Sequence, residues 1–560
     1  MNTNQIRIHV LSGITLYLLA AAWGKAIEPT RLERQAAARW ADAHLRAGKS
    51  SVPFTFTYGG QASGALLAAW PVTSSSRTLD GARRERVLEW SDRGTGLRVR
   101  CVAVQYRDFP VVEWTVYFKN AGQGDTPILE NIQALDASFD CGTKGEFVVH
   151  GIKGDFCAAD SFEPYQVTLG PGSRQEFSPP RNSGKSCDGP KGWPYYNLQM
   201  PGGGAMVAIG WPGQWSSSFR RDAGHRLEVR AGQQRTHLVL KPGEEIRTPL
   251  IAILFWKGAD LVRAQNLWRR WFVAHNLART GGQPQPPAAQ IQVGGGEADI
   301  AGVKAFLEAG VKPDICWRDA GGAYTWYPNR TGPYKGNDAW LNTGTWEVDA
   351  ERYPRGFKPF SDWVRSQGMQ FLLWFEPERV GDTNSWLARE HPEWLLPGSS
   401  HGPILDLGNA AAWAWLANHL DTMIRTQGLD WYREDMNGEG PAPAWRKHDA
   451  PDRQGITENF YVQGHLALWD ELRRRNPGLR IDSCASGGRR NDLESMRRAV
   501  PLLRSDFQFP EMKGVVEGNQ GHTYGLSFWL PFQGTGCYLY DLYSARSFYL
   551  AGFGMWGLSP

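Results

Sequence analysis

Residues 283–287 read Gln-Pro-Gln-Pro-Pro, and the periodicity of the chain changes across them. A Pro-rich break of this kind marks a boundary between folding units. Upstream, from about residue 50 to 255, apolar residues recur with the period of strands. The run 97–106 alternates with period two, 111–118 does so less cleanly, and 147–150, 205–211 and 237–240 are further β-branched or aromatic runs. Many strands without interleaved helices imply a β-sandwich. Downstream, short apolar runs alternate with helical segments. Strands are expected at 291–293, 313–317, 370–375, 429–433, 479–483, 502–504 and 552–556. Helices are expected at 300–309, 359–366, 413–427, 457–476 and 492–499. That alternation is the pattern of a (β/α)8 TIM-type barrel. Strand 552–556 leaves no residues for a closing helix, so the sequence reads as a barrel cut short at its C-terminal end.

A chain of 560 residues is too long for one ordinary core, which agrees with two large units. A charged or polar start, Arg7 and His9, precedes an apolar run from Val10 to Trp23, with small residues Gly24 and Ala26 after it. This is short for a membrane span and fits a signal peptide, so the protein is expected to be exported, periplasmic or extracellular, and free of stable membrane association once the signal is removed. The resulting division is 1–26 signal peptide, 27–258 β-sandwich, 259–287 helical linker and 288–560 catalytic (β/α) barrel. A formal net charge of +4 gives no electrostatic case for nucleic acid. The seven cysteines are scattered and include no Cys-x-x-Cys pair, which argues against a zinc site; one bridge among Cys101, Cys141, Cys157 and Cys187 would suit an exported chain. Oligomerisation is left open by the sequence.

The strand ends carry the chemistry. Arg318-Asp319, Glu376-Pro377-Glu378-Arg379, Arg433 with Asp435, Cys484 with Ser486-Gly487-Gly488-Arg489, and Asp506 each follow an apolar run and open a loop. Carboxylates at the C-terminal ends of parallel strands sit where barrel enzymes keep their active sites. A pair of carboxylates is what cleavage of a glycosidic bond requires, and Asp435 and Asp506 are the candidates. The 26 tryptophans suit stacking on sugar rings, although many serve the core. Glu376 and Glu378 read equally well as salt-bridged supports.

The runs Gly344-Thr345-Trp346-Glu347-Val348-Asp349, Trp374-Phe375-Glu376-Pro377-Glu378, Arg433-Glu434-Asp435-Met436-Asn437, Ser483-Cys484-Ala485-Ser486-Gly487-Gly488-Arg489 and Arg504-Ser505-Asp506 resemble, in this order, the family 36 α-galactosidases. These belong to a clan of retaining α-glycosidases. The resemblance implies a retaining, exo-acting α-galactosidase acting on terminal α-galactosides of oligosaccharides by a two-aspartate double displacement, with no metal or organic cofactor. It implies Asp435 as nucleophile and Asp506 as acid/base. It implies Asp319, Trp346, Arg379, Arg433, Asn437, Cys484, Gly487 and Arg489 as sugar contacts. Three positions depart from the family pattern. Arg318-Asp319 stands where the family usually has two aspartates, Arg433 where it has Lys, and Glu434 where it has Trp. The same mechanism on another α-linked sugar, an α-N-acetylgalactosaminide or an acidic sugar, is the alternative, followed by a non-catalytic carbohydrate-binding relative.

Overall fold

The computed structural model of the protein describes residues 27–47, 51–143, 145–320, 325–328 and 343–557. The expected signal peptide lies outside the described residues. The first element is a helix, Arg31–His44, started by a capping box in which Thr30 and Glu33 bond each other's backbone amides. Glu33 also accepts from Lys257 N at 2.9 Å and Arg263 Nη1 at 2.7 Å, which ties this helix to the segment entering the second half of the chain.

The strand-rich half forms two antiparallel sheets of ten and four strands and gives four strands to a further sheet of five, which Arg453–Gln454 of the second half completes. Leu97–Tyr106 pairs antiparallel with Val111–Asn120, placing Cys101 opposite Val116. Their inward residues, Val99 and Val116 among them, share one hydrophobic core with Phe219 and Val229 of the four-stranded sheet. The expected helical linker is not a spacer in solvent. Its helix, Leu261–Trp271, buries Ala264, Leu267, Trp268 and Trp271 completely, and Trp268 Nε1 donates to Trp529 O at 3.0 Å. All seven cysteines are free thiols, so the bridge considered among Cys101, Cys141, Cys157 and Cys187 does not form.

The second half carries a seven-stranded parallel sheet that curls in the manner of a TIM-type barrel. We label its strands β1 (Ala288–Gln292), β2 (Ile315–Arg318), β3 (Gln370–Phe375), β4 (Trp431–Glu434), β5 (Arg480–Ser483), β6 (Gly534–Cys537) and β7 (Gly552–Met555). Neighbours are in register at Cys316 opposite Phe371, Leu373 opposite Tyr432, and Tyr432 opposite Ile481. β7 pairs with both β6 and β1, with Gly554 opposite Gln290.

Residues 500–504 fill the place between β5 and β6. Val500 N donates to Ile481 O and Ser483 N to Val500 O, both at 3.0 Å. On the other edge Gly534 N donates to Pro501 O at 2.8 Å and Arg504 N to Gly534 O at 2.9 Å. The expected strand at 502–504 is therefore a bonded place in the sheet but not a regular strand. Pro501 has no amide hydrogen, and the Leu502 amide is taken by the Asp482 side chain at 2.7 Å.

One expected helix does not form. Residues 493–498 make consecutive turns. The Asp492 carboxylate accepts from Glu494 N, Ser495 N and Ser495 Oγ, and this local bonding competes with a continuous helix. No helix of the described residues is long and apolar enough to cross a membrane.

Candidate active site

Parallel pairing puts every strand's C-terminal end on one rim, and the period of two decides which side chains turn into it. On β4, Tyr432 and Glu434 point away from the barrel axis. Tyr432 Oη donates to Glu434 Oε2 at 2.6 Å, and Trp469 Nε1 of the helix Ile456–Arg475 donates to the same oxygen at 2.8 Å. Arg433 and, just past the strand, Asp435 point the other way.

Arg433 is nearly fully buried over the Trp317 ring, 4.5 Å from its centroid. It donates to Asp482, reaches Cys484 Sγ at 3.0 Å, and lies 3.5 Å from Asp319 Oδ2. Asp319 also accepts from Trp317 Nε1 and Ala320 N, both at 2.8 Å, and is about one-third exposed at 34%.

Four donors converge on Asp435. Trp374 Nε1 at 3.1 Å and Asn437 Nδ2 at 2.9 Å reach Oδ2, while Met436 N at 2.8 Å and Ser486 N at 2.9 Å reach Oδ1. Burial works against ionisation of this carboxyl, but the Arg433 cation and these donors outweigh it and hold Asp435 below the usual carboxylate range. Asp506 goes the other way. Burial, then the charges of Asp435 and Asp155, push its carboxyl up to about 7, against the pull of Arg433 and Arg489. Asp506 is only partly shielded from solvent, so the crowding of protein atoms and like charge around it, rather than complete exclusion of water, raises it.

The loop after β5 shapes the floor. Ser486 has φ 55°, and Gly487 follows at φ 83°. A Cβ at Gly487 would lie 2.6 Å from Asp155 Oδ2 and 2.8 Å from Asp506 N, so glycine is required here for space as well as conformation. Cys484 Sγ accepts from Gly487 N at 3.3 Å. Arg489 lies 3.6 Å from Asp188. Trp346 is held at φ 62° and is buried against Trp326, Tyr327 and Trp374; among the described residues its Nε1 has no hydrogen-bond partner. Non-glycine residues in this region cost about 1–3 kcal/mol and cluster at functional sites.

The structure thus gathers Asp319, Arg433, Asp435, Asn437, Cys484, Gly487 and Asp506 into one contact network at the rim, with Trp346 joined through its ring contact with Trp374. Arg379 and Glu376 form a fully buried bidentate pair, 2.9 and 2.5 Å, and Glu376 also accepts from Asn437 N. Glu378 accepts from Arg490 Nη1 at 2.6 Å and Tyr461 Oη at 2.7 Å. Both glutamates are therefore ion-paired supports. Oxygens of Glu378 and Glu434 and a ring nitrogen of His465 lie within 4.8 Å of one another, but the Arg490 guanidinium already supplies the cation of that cluster.

Sequence reasoning missed the share of the strand-rich half. Asp155, Lys185, Cys187 and Asp188 come from loops upstream of residue 192 and reach the rim. Lys185 Nζ donates to Gly438 O at 2.9 Å and Ser486 Oγ at 3.2 Å, bridging the loops after β4 and β5. Cys187 N donates to Arg489 O at 2.7 Å. These residues lie in an aperiodic, Gly-, Ser- and Pro-rich stretch that offers no pattern to read; a buried lysine is visible only once its neighbours are known.

The fold and site define a parallel-barrel protein with a pair of differently tuned carboxylates at strand ends. The family model described as Melibiase matches residues 326–510. The chain is 34% identical over 183 residues to an α-galactosidase of Escherichia coli, a stretch covering 31% of this chain and 25% of that protein. It is 30% identical over 213 residues to α-galactosidase 2 of Pediococcus pentosaceus, covering 37% and 28%. The matched stretches span about a quarter of the length of these curated relatives. Among solved structures, the α-galactosidase of Lactobacillus brevis superposes with TM-score 0.71 at 20% identity, over 92% of this chain and 71% of that one. The family 36 α-galactosidase AgaA of Geobacillus stearothermophilus, a variant in complex with stachyose, superposes with TM-score 0.70 at 18% identity, over 91% and 73%. In sequence motifs and in fold, the chain resembles the family 36 α-galactosidases.

Proposed function

We propose that the protein is a retaining, exo-acting α-galactosidase that hydrolyses terminal α-galactosides of oligosaccharides. The observation that carries this reading is the opposite tuning of two neighbouring aspartates, Asp435 held low and Asp506 raised to about 7. A double displacement needs this split, because one carboxylate must attack C1 while the other still holds a proton for the leaving oxygen. Asp435, ionised and held by Trp374, Asn437 and two backbone amides, is the nucleophile. Asp506 protonates the glycosidic oxygen, then takes a proton from the water that releases the sugar. Arg433 steadies the Asp435 charge, Asp319, Asn437 and Arg489 offer polar surface to the sugar, Cys484 and Gly487 shape the backbone beside it, and the buried Trp346 backs Trp374. Arg379 acts through Glu376.

The two antiparallel sheets over one core support reading residues 27–258 as a β-sandwich. The bonded ring through residues 500–504 supports reading residues 288–560 as a (β/α)8 barrel. The apolar run at 10–23 supports export. The second reading, the same mechanism on another α-linked sugar, is favoured by buried Arg318 at a position where the family carries a carboxylate.

Hydrolysis of a panel of nitrophenyl α-glycosides, followed by proton NMR of the first-formed anomer, tests the proposal. An initial α-anomer from the α-galactoside is expected. An initial β-anomer would exclude retention, and turnover confined to a different glycoside would transfer the function to the second reading.

A further inference from the structure

Asp155 lies in the strand-rich half, some 350 positions before Ser505, with which it is bonded. It is fully buried. Its Oδ1 accepts from Ser505 Oγ at 2.8 Å and Cys157 N at 3.0 Å, and its Oδ2 accepts from Gly488 N at 2.9 Å. One carboxyl therefore joins the turn after β5 to the residue preceding Asp506. The Gly487 turn is pressed between Asp155 Oδ2 and the Asp506 amide, as the missing space for a Cβ shows.

We infer that Asp155 is a positioning residue for Asp506: it fixes the acid/base against the Gly487-Gly488 turn and confronts it with a second buried carboxyl. The inference rests on the proposed role of Asp506. The groups facing Asp506 are Asp435 and Cys484 from the strand ends of β4 and β5, Arg433 on β4, Arg489 from the turn after β5, and Asp155 and Cys157 from the strand-rich half. Two of its like-charged neighbours push in the same direction, and only Asp155 belongs to the other half of the chain. Burial raises the Asp155 carboxyl as well, against the pull of Arg489 and of its three donors, and its charge, once ionised, helps keep Asp506 protonated where a nucleophile must already be ionised. Its hydrogen bonds keep the proton aimed along one line.

The test is Asp155→Asn in the full chain. Asparagine keeps an acceptor for Gly488 N and can donate to Ser505 Oγ, losing only the Cys157 amide as a donor to it. Carbon-13 carboxyl NMR, with Asp506 assigned by Asp506→Asn, reads the titration without turnover. The Asp506 midpoint is expected to fall by about one unit. In kcat/KM, the basic limb is expected to move to lower pH by the same amount. The loss is expected to be larger on alkyl than on nitrophenyl α-galactosides, because the poorer leaving group depends on the acid. A folded Asp155→Asn protein with an unmoved Asp506 midpoint, and equal losses on both substrates, would overturn the inference. If Asp155→Asn does not fold, Ser505→Ala removes a donor that favours the ionised Asp155 carboxyl, so Asp155 keeps its proton to higher pH; a smaller fall of the Asp506 midpoint is expected, and none would overturn the inference. If wild type cleaves no α-glycoside, the proposed function fails while the NMR midpoint still decides the part played by Asp155.

Discussion

Asp435 and Asp506 bear the same carboxyl group and differ only in what surrounds it. Asp435 has a buried cation and four donors; Asp506 has two carboxylate neighbours. Asp435→Ala is expected to lower turnover by at least about 10⁴-fold while leaving the fold intact, as loss of a nucleophile does elsewhere. Steady-state kinetics beside a circular dichroism melt checks both parts, and a folded variant retaining wild-type turnover would remove Asp435 from the mechanism. The pH profile follows from the same pair. In the proposed mechanism glycosyl transfer to Asp435 needs Asp506 protonated, so kcat/KM is expected to decline as pH rises through about 7, the Asp506 value, with the acid limb below the ordinary carboxylate range. A profile flat from pH 5 to 9 would contradict the assignment of Asp506. The second reading gives Arg318 a part in which sugar is taken. A hydroxyl that would donate to a carboxylate meets a donor-only group there, a mismatch of about 1–3 kcal/mol or roughly five- to 150-fold. Arg318→Asp is expected to shift the ratio of kcat/KM between α-galactoside and α-galacturonide toward the galactoside by a factor in that range; an unchanged ratio would show that Arg318 does not select.

Among elements, the helix Ile456–Arg475 serves both halves. Its Glu458 accepts from Trp211 Nε1 at 2.8 Å and Gln214 N at 2.7 Å, both in the strand-rich half. Burial raises the Glu458 carboxyl to about 8. A raised folded value means the native state binds the proton more tightly than the unfolded chain. Stability is therefore fullest below the unfolded value and falls as pH rises toward 8. Glu458→Gln keeps the acceptor and removes this cost, so it is expected to stabilise by roughly 1–3 kcal/mol at pH 9 and by little at pH 4. Thermal melts at the two pH values measure the difference, and a variant less stable at pH 9 would show that the charge itself is useful. The legibility of elements followed their periodicity. β3 lies at the expected 370–375, and the helix expected at 457–476 is Ile456–Arg475. β6 escaped because Gly534-Thr-Gly-Cys537 is half glycine, with Thr535 its one β-branched residue. Gly536 and Gly554 instead leave room for the Trp556 indole, which a Cβ at either would overlap. The candidate aspartates were legible because they end apolar runs. Asp155 was not, since Gly488 and Ser505, which tie it to the site, are hundreds of positions away.

At the scale of the molecule, the two halves are not separable bodies. Ile456, Val462 and Leu466 of the barrel half sit in the core of the strand-rich half, and a further core mixes Tyr195, Trp268, Trp317 and Trp529. Residues 288–560 produced alone are expected to be insoluble or without a cooperative melt, because these side chains would lose their cover. A soluble fragment with a sharp transition would show that the barrel stands by itself. The pairing of β7 with β1 has a consequence in time. Translation delivers β1 first and β7 more than 260 residues later, on the order of tens of seconds at the usual pace of synthesis. Until then β1 waits on the ribosome with one edge bare, and the cleft beneath Asp435 has no complete wall. Ribosomes that stall before the β7 codons would leave a nascent chain with its aspartates in place and an open seam, a natural substrate for chaperones and proteases rather than for sugars.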